Sequence, residues 1–124
     1  MIFTEQEICD LRNFVHMLNS KTKSVVIVEG KRDSAALKKI GFTGKVLEFH
    51  KFGGIINFAD SVAKHENLII LFDGDRKGRQ LTGRAIQLLQ RRTKVDLTFK
   101  KRLNKITKGK IRFIEQLICL ESIF

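Results

Sequence analysis

The distribution of apolar and polar positions divides the chain into alternating helical and strand segments. Thr4 followed by Glu7 is a capping-box pattern ahead of apolar residues at helical spacing, which predicts a helix over residues 5–19. Short runs of Val, Ile and Leu predict buried strands. The other predicted elements are strands over 24–29, 45–49, 67–73 and 95–99, helices over 35–40, 55–63 and 79–92, a basic loop over 101–110, and a last helix from Ile111.

A first helix followed by repeated strand–helix units predicts an α/β fold with a parallel sheet and helices on both faces. We expect roughly four strands and one domain over residues 1–124, near the commonest domain size. Within that domain, residues 1–20 hold the first helix, 24–99 the α/β core, and 100–124 a basic loop and helix.

Three acidic residues follow two of the apolar strands. Glu29 precedes Gly30 after the first strand, and Asp73 and Asp75 flank Gly74 after the third. Ligands bind beyond the carboxyl ends of parallel strands, so we expect these carboxylates to meet in one crevice. Crowded carboxylates need a cation or a proton between them, and oxygen ligands favour Mg²⁺, or Mn²⁺ in its place. The two aspartates are the predicted ligands, and Glu29 is either a third ligand or a general acid/base.

The sequence places cations directly beside these acids. They are Lys31, Arg32, Arg76, Lys77 and Arg79. Phosphates bind well at helix N-termini, whereas cations are normally favoured at helix C-termini. Cations at these predicted N-termini therefore indicate an anionic ligand. Asp33 or Ser34 is the predicted N-cap of the second helix, and Asp33 can also support the metal loop.

The net charge of +11 is carried by the second part of the chain. Residues 1–75 contain ten basic and ten acidic side chains, whereas residues 76–124 contain fourteen basic and three acidic ones. A field of this sign attracts polyanions. Because the basic part begins directly behind the acidic pair, we interpret it as a nucleic-acid-binding surface rather than as general solubilising charge.

Composition excludes several other classes of protein. No apolar run approaches the roughly 20 residues of a membrane span, and no signal-peptide pattern opens the chain, so we expect a cytoplasmic protein without a membrane partner. Cys9 and Cys119 lie in apolar helical patterns and are predicted to be buried, reduced thiols, with a disulfide as the alternative. The histidines and cysteines lack zinc-site spacing, and the absence of tyrosine excludes a tyrosine nucleophile.

The segments VVIVEGKRDSAAL and LIILFDGDRKGR resemble the Toprim domain, which is shared by topoisomerases, bacterial-type primases, recombination proteins and small ribosomal-RNA maturases. The family pattern is a Glu-Gly after the first strand and an Asp-x-Asp after the third. Matching positions are Glu29, Gly30, Asp73, Gly74 and Asp75, with Asp33 at an acid often found after the glutamate. The resemblance covers residues 24–99 and is closest to the stand-alone, primase-like Toprim proteins of archaea and bacteria.

This resemblance implies a Rossmann-like Toprim fold, Mg²⁺ at Asp73 and Asp75, and Glu29 as the general acid/base in making or breaking phosphodiester bonds. It also implies RNA or DNA as a partner, together with proteins of RNA processing or of DNA repair and topology. The tail from Lys100 is similar to the ending of the small family members. Its cations Arg102, Lys110 and Arg112 are predicted to grip the nucleic-acid backbone.

Two functions follow from this pattern. The first is a small magnesium-dependent nuclease with water as the nucleophile, and the second is a nucleic-acid-binding or accessory module without chemistry of its own. Without tyrosine the chain is not expected to be a strand-passing topoisomerase alone, and without a zinc module it is not expected to be a complete primase. A haloacid-dehalogenase-type phosphatase is disfavoured, because Lys77 stands where that family has Thr or Val.

Overall fold

The computed structural model describes residues 3–110 and Gln116. Its elements are α1 (Glu5–Asn19), β1 (Ser24–Val28), α2 (Lys31–Lys39), β2 (Val46–Glu48), a 3-10 turn (Phe49–Phe52), α3 (Ile55–Val62), β3 (Asn67–Ile70), α4 (Arg76–Leu89), β4 (Lys94–Asp96) and α5 (Thr98–Thr107). The predicted first helix is confirmed together with its capping box. The Thr4 hydroxyl accepts from the Glu7 N–H at 3.1 Å, and the Glu7 carboxylate accepts from the Thr4 N–H at 2.9 Å.

The four strands form a parallel sheet in the order β2-β1-β3-β4. In the centre of the sheet, Val26 of β1 lies opposite Val46 of β2 and Ile69 of β3, and Asn67 of β3 lies opposite Lys94 of β4. The helices supply the crossover connections that parallel strands require. This arrangement confirms the predicted α/β class and brings the carboxyl ends of all four strands to one edge.

Alternate side chains of the two central strands fill two apolar cores, one on each face of the sheet. On one face, Val26 and Ile69 pack in a core completed by α1, α2 and α5. On the other face, Ile27 and Ile70 pack in a core completed by α3 and α4. Helices therefore cover both faces, as predicted, and the central strands form a rigid platform for the residues that follow them.

The region after β4 differs from the sequence prediction. The strand ends at Asp96 rather than continuing to Phe99, and the predicted basic loop over 101–110 is largely the helix α5. The Asp96 carboxylate accepts hydrogen bonds from the Thr98 N–H at 2.7 Å and from its hydroxyl at 2.6 Å. These hydrogen bonds form a turn that directs the chain out of the strand, and Phe99 and Leu103 then point into the core from a helix.

Several other boundaries also differ from the prediction: β3 ends at Ile70 rather than at residue 73, and α4 ends at Leu89 rather than at residue 92. Helix α2 begins at Lys31, so Asp33 lies in its first turn instead of being its N-cap, and Gly30 occupies the N-cap position. Strand β2 stops at Glu48, because the chain enters the 3-10 turn at Phe49. Helix α4 begins at Arg76 rather than at Arg79, since Asp75 caps it.

Cys9 lies on the exposed side of α1, so the prediction of a buried thiol at this position is wrong. Cys119 and the predicted helix from Ile111 lie outside the described residues, and so does any disulfide between the two cysteines. None of the helices within the described part of the chain combines the length and apolar character that a bilayer crossing requires.

Candidate metal and nucleic-acid site

Glu29 and Asp73 meet at the carboxyl edge of the two central strands. The Leu71 N–H still donates to the Ile27 carbonyl at 2.9 Å, which continues the pairing of β1 with β3. Two residues further on, the Asp73 N–H donates to Glu29 Oε2 at 2.8 Å. The Glu29 carboxylate thus accepts the hydrogen bond that a main-chain carbonyl would accept if the strands continued. This hydrogen bond holds Glu29 against Asp73.

The surroundings of Glu29 disfavour its ionised form. Burial is the largest cause, and the neighbouring Asp73 carboxylate and the more distant Asp33 act in the same direction. The hydrogen bond from the Asp73 N–H opposes them, but the net effect raises the pKa of Glu29 to about 7. A carboxyl with this pKa exchanges a proton near neutral pH, as a general acid/base must.

Asp75 has a second task, since its side chain is the N-cap of α4. Its Oδ1 accepts from the Gly78 N–H at 2.7 Å. Gly78 is buried, and a Cβ at this position would overlap the Asp73 carbonyl oxygen and lie 3.0 Å from Asp75 Oδ1. Only glycine therefore allows the first turn of α4 to approach the Asp73–Asp75 turn this closely.

The loop after β1 is held by an analogous contact. Asp33, in the first turn of α2, accepts from the Gly30 N–H at 3.1 Å. Its side chain is buried, and its charge contributes to the raised pKa of Glu29. Asp33 therefore makes a cap-like contact at the start of α2 and also supports the acidic loop that contains Glu29.

Lys100 reaches this edge from α5. Its ammonium donates to the Asp73 carbonyl at 3.3 Å and to the Thr82 hydroxyl at 3.1 Å. Burial lowers the pKa of Lys100, and attraction by Glu29, Asp73 and Asp75 partly opposes this shift. Lys100 is a site residue that was not predicted from the sequence. The helical spacing of Phe99, Leu103 and Ile106 was the signal that would have placed it on a helix facing the sheet.

The predicted phosphate-binding cations divide into separate groups. Lys31 and Arg32 are exposed in the first turn of α2, and Arg76, Lys77 and Arg79 are exposed in the first turn of α4. All five lie at helices that begin directly after the acidic strand ends. The first turn of α4 contains no acidic residue, so its cations oppose the helix dipole.

Two cations of the tail contact α1 instead. Lys110 donates to both carboxylate oxygens of Glu7, at 2.9 and 3.2 Å, and lies 5.4 Å from the centre of the Phe3 ring. Arg102 donates to the sulfur of Met17 at 2.8 Å and lies over Phe99. These contacts join α5 to α1. Arg112 lies outside the described residues.

The donor set at the acidic edge suits a hard divalent cation. The available ligands are carboxylate oxygens, and their mutual repulsion is what a cation between them would relieve. Within residues 3–110 and 116, no three His, Cys, Asp or Glu side chains are grouped so that they could hold a metal ion, so the predicted meeting of all three carboxylates is not observed and only Glu29 and Asp73 are in contact. Mg²⁺ commonly uses one or two carboxylates and completes its shell with water and substrate phosphate, so the pair Glu29–Asp73 with Asp75 beside it fits this ion.

Comparison with protein families gives one consistent result. The family model described as the Toprim domain matches residues 23–100. A UPF0292 protein of Pyrococcus furiosus is 36% identical over 95 residues, which cover 77% of this chain and 72% of that protein. A UPF0292 protein of Thermococcus sibiricus is 33% identical over 114 residues, covering 91% of this chain and 83% of the relative.

The fold is also similar to a solved structure. A protein from Aquifex aeolicus superposes with a TM-score of 0.71 at 28% sequence identity. The match covers 86% of this chain and 96% of that protein, so it includes the sheet as well as the helices around it.

Proposed function

Because this chain belongs to the Toprim domain family, we propose that it hydrolyses phosphodiester bonds of RNA or DNA in a magnesium-dependent reaction. Membership in the family indicates a metal-dependent function connected with nucleic acids. The nuclease reaction, the assignment of individual residues and a cytoplasmic place of action are our proposal. The observation that carries it is the pairing of Glu29 with Asp73 at the strand ends, with a pKa near 7 for Glu29.

Glu29 is the proposed general acid/base. At neutral pH it is present in both protonation states, so it can accept the proton of an attacking water and return a proton to the leaving oxygen. The hydrogen bond from the Asp73 N–H fixes the orientation of its carboxylate. General acid/base catalysis of this kind contributes typically about 10²–10⁴-fold in rate.

Asp73 and Asp75 are the proposed magnesium ligands, and Glu29 keeps the acid/base role. A bound Mg²⁺ would polarise the phosphoryl oxygens and offset the charge that develops on the leaving group. Arg76, Lys77 and Arg79 hold the substrate backbone from the first turn of α4, which itself contains no acidic residue.

The test is cleavage of labelled structured RNAs and DNAs by the full chain, with and without Mg²⁺. We expect cleavage that requires Mg²⁺ and falls at least about hundredfold in Glu29→Gln and Asp73→Asn. Asp60→Asn is the matched control, because Asp60 is exposed on α3 and pairs with Arg92. Equal cleavage by wild type, Glu29→Gln and Asp73→Asn would assign the activity to a contaminant.

A binding module without turnover is the second candidate, and one observation favours it. The Asp75 carboxylate caps α4 and the Glu29 carboxylate accepts from the Asp73 backbone, so both also have structural tasks. This candidate predicts salt-dependent nucleic-acid binding without cleavage of any substrate in the presence of Mg²⁺. It predicts further that binding is the same in wild type and Glu29→Gln.

A further inference from the structure

A cleft of about 740 Å³ opens between α4 and α5, directly beside Gly74 and Asp75. Its volume lies within the range of roughly 300–1,000 Å³ that is typical of small-ligand sites. The cleft shares Asp75 with the acidic edge, and Lys100 and Thr82 form part of its lining. A ligand in the cleft would therefore lie next to the carboxylates rather than on a distant surface.

The charge of the cleft is strongly positive. Arg76 and Arg79 line it from α4, and Lys100 and Lys101 line it from α5. Within the described part of the chain, no ion pair joins Arg76, Arg79 or Lys101 to a carboxylate. Four cations around one acid make this cleft a site for an anion, and guanidinium groups are suited to phosphate.

Lys100 connects the cleft with the acidic edge. Its hydrogen bonds to the Asp73 carbonyl and the Thr82 hydroxyl fix the ammonium at the boundary between the two. An ammonium has three donors, so one remains for a ligand oxygen. A phosphate bound there would contact Lys100 while lying beside the carboxylates.

The apolar part of the lining comes from Phe72, Leu97 and Leu103, and Asn104 and Gly109 complete the wall on the α5 side. A cleft that combines cations with apolar walls suits a nucleotide, because the base is flat and apolar on its faces whereas the phosphate is charged. The phosphates of a duplex lie on a convex surface with the bases stacked inside, so a duplex cannot place a base in a concave site of this size.

We propose that the cleft between α4 and α5 binds one nucleotide of a single strand and places its phosphate beside Lys100 at the acidic edge. The choice of a nucleic-acid ligand rests on the proposed function. The cleft itself is defined by its cations, its walls and its position. A nucleotide that enters the cleft must be unpaired, so the substrate class of the site is single-stranded nucleic acid.

The test measures binding in EDTA, where cleavage does not interfere. Fluorescence anisotropy of labelled oligo(U) and oligo(dT) is recorded against the full chain at several salt concentrations. The double variant Arg79→Ala/Lys101→Ala removes two exposed cations of the cleft. We expect at least a tenfold weaker affinity and a log–log salt slope that is smaller by about 1.4, since each phosphate contact on a single strand contributes about 0.7.

Two further variants separate the cleft from general charge. Lys21→Ala/Lys23→Ala removes the same charge from the exposed turn before β1, at the amino edge of the sheet, and should change the affinity less than twofold. Asn104→Trp keeps all charges but fills the cleft from an exposed position, so it should weaken binding of the single strand and not of a duplex. Equal effects of the two double variants, or unchanged single-strand binding by Asn104→Trp, would overturn the proposal.

The outcomes also distinguish this inference from the proposed nuclease. Cleft-dependent binding without cleavage in Mg²⁺ would retain the cleft and reject the nuclease. Cleavage that depends on Glu29, combined with wild-type binding by all cleft variants, would retain the nuclease and reject the cleft.

Discussion

Glu7 on α1 and Glu29 after β1 are both withdrawn from solvent, but their surroundings shift their pKa values in opposite directions. The Glu7 carboxylate accepts from the Thr4 N–H and from the Lys110 ammonium, and these hydrogen bonds lower its pKa to about 2. Burial and the neighbouring Asp73 raise the pKa of Glu29 to about 7. Two residues of one type thus have very different proton affinities within one small fold.

The difference comes from what dominates around each carboxylate: hydrogen-bond donors at Glu7, but burial and a second carboxylate at Glu29. Glu7 accepts from a backbone N–H and from the Lys110 ammonium, so its negative charge is balanced at the contact between α1 and the end of α5. Glu29 has a backbone donor but lies against a second carboxylate, so its charge is not balanced within the contact. A group of the second kind is suited to bind a cation or exchange a proton, whereas a group of the first kind stabilises the fold.

Lys110 and Lys100 show the same contrast among the cations. Lys110 bonds the Glu7 carboxylate itself, and the pair closes the contact between the start of α1 and the end of α5. Lys100 bonds the Asp73 carbonyl and the Thr82 hydroxyl, which fixes its ammonium beside the acids. Nucleic-acid binding was predicted for Lys110, but in the structure this residue forms the contact that joins the two helices.

The largest effect on stability is expected for a substitution of Gly78, where the first turn of α4 packs closely against the Asp73–Asp75 turn. Gly78→Ala should lower the free energy of unfolding by about 3 kcal/mol, because its Cβ overlaps the Asp73 carbonyl oxygen and the turn must move. Chemical denaturation measures the loss. The same displacement should abolish Mg²⁺-dependent cleavage in the fraction that is folded.

Gly83→Ala is the matched control for Gly78→Ala. Gly83 is exposed in the same helix, and a Cβ there meets nothing within 4 Å. The control should gain up to about 1 kcal/mol from the better helix propensity of alanine. A destabilisation of equal size in both variants would show that helix α4, rather than the Asp73–Asp75 turn, is what responds.

The second prediction concerns the stability that Mg²⁺ adds at the acidic edge. A ligand present at a hundred times its dissociation constant stabilises the native state by about 2.7 kcal/mol, so Mg²⁺ should raise the thermal unfolding midpoint of the wild type. Asp73→Asn should remove this increase, and Asp60→Asn should retain it. An equal increase in both variants would indicate Mg²⁺ binding elsewhere on the protein.

Parts of the fold could be predicted from the sequence alone, and parts could not. The first helix could be predicted, because its start depends on Thr4 and Glu7, which are three residues apart. The path after β4 could not be read from apolar alternation. Val95, Leu97 and Phe99 alternate as in a strand, but the hydrogen bonds from Thr98 to the Asp96 side chain start a helix that tertiary packing then completes.

The site was predictable to a similar extent. Parallel strands bring their carboxyl ends together, so the proximity of Glu29 and Asp73 followed from the order of the elements. The role of Gly78 did not, because it depends on a close approach between the first turn of α4 and a carbonyl five residues earlier. Lys100 was missed for a different reason: its position depends on the orientation of α5, which the strand prediction concealed.

The third prediction turns to the region that contains Glu7. Thr4→Ala removes the hydroxyl that accepts from the Glu7 N–H, and should lower the free energy of unfolding by about 1 kcal/mol. Thr22→Ala, in an exposed turn, should have almost no effect. Neither variant should change the rate of cleavage per folded molecule. A loss of cleavage in Thr4→Ala would contradict the separation between the two acidic regions.

The fourth and smallest effect is the pH dependence that Lys110 gives to Glu7. The folded-state pKa of Glu7 is about 2, below the ordinary value of 4.5, so Glu7 stabilises the fold above pH 4.5 and this contribution disappears as the pH falls towards 2. Lys110→Met removes one donor while the Thr4 N–H remains, so the pKa should rise only part of the way. The acid-unfolding midpoint, followed by circular dichroism, should move to higher pH by a fraction of a unit. Lys105→Met removes the same charge from the exposed side of α5 and should leave the midpoint in place, because Lys110 then still donates to the Glu7 carboxylate.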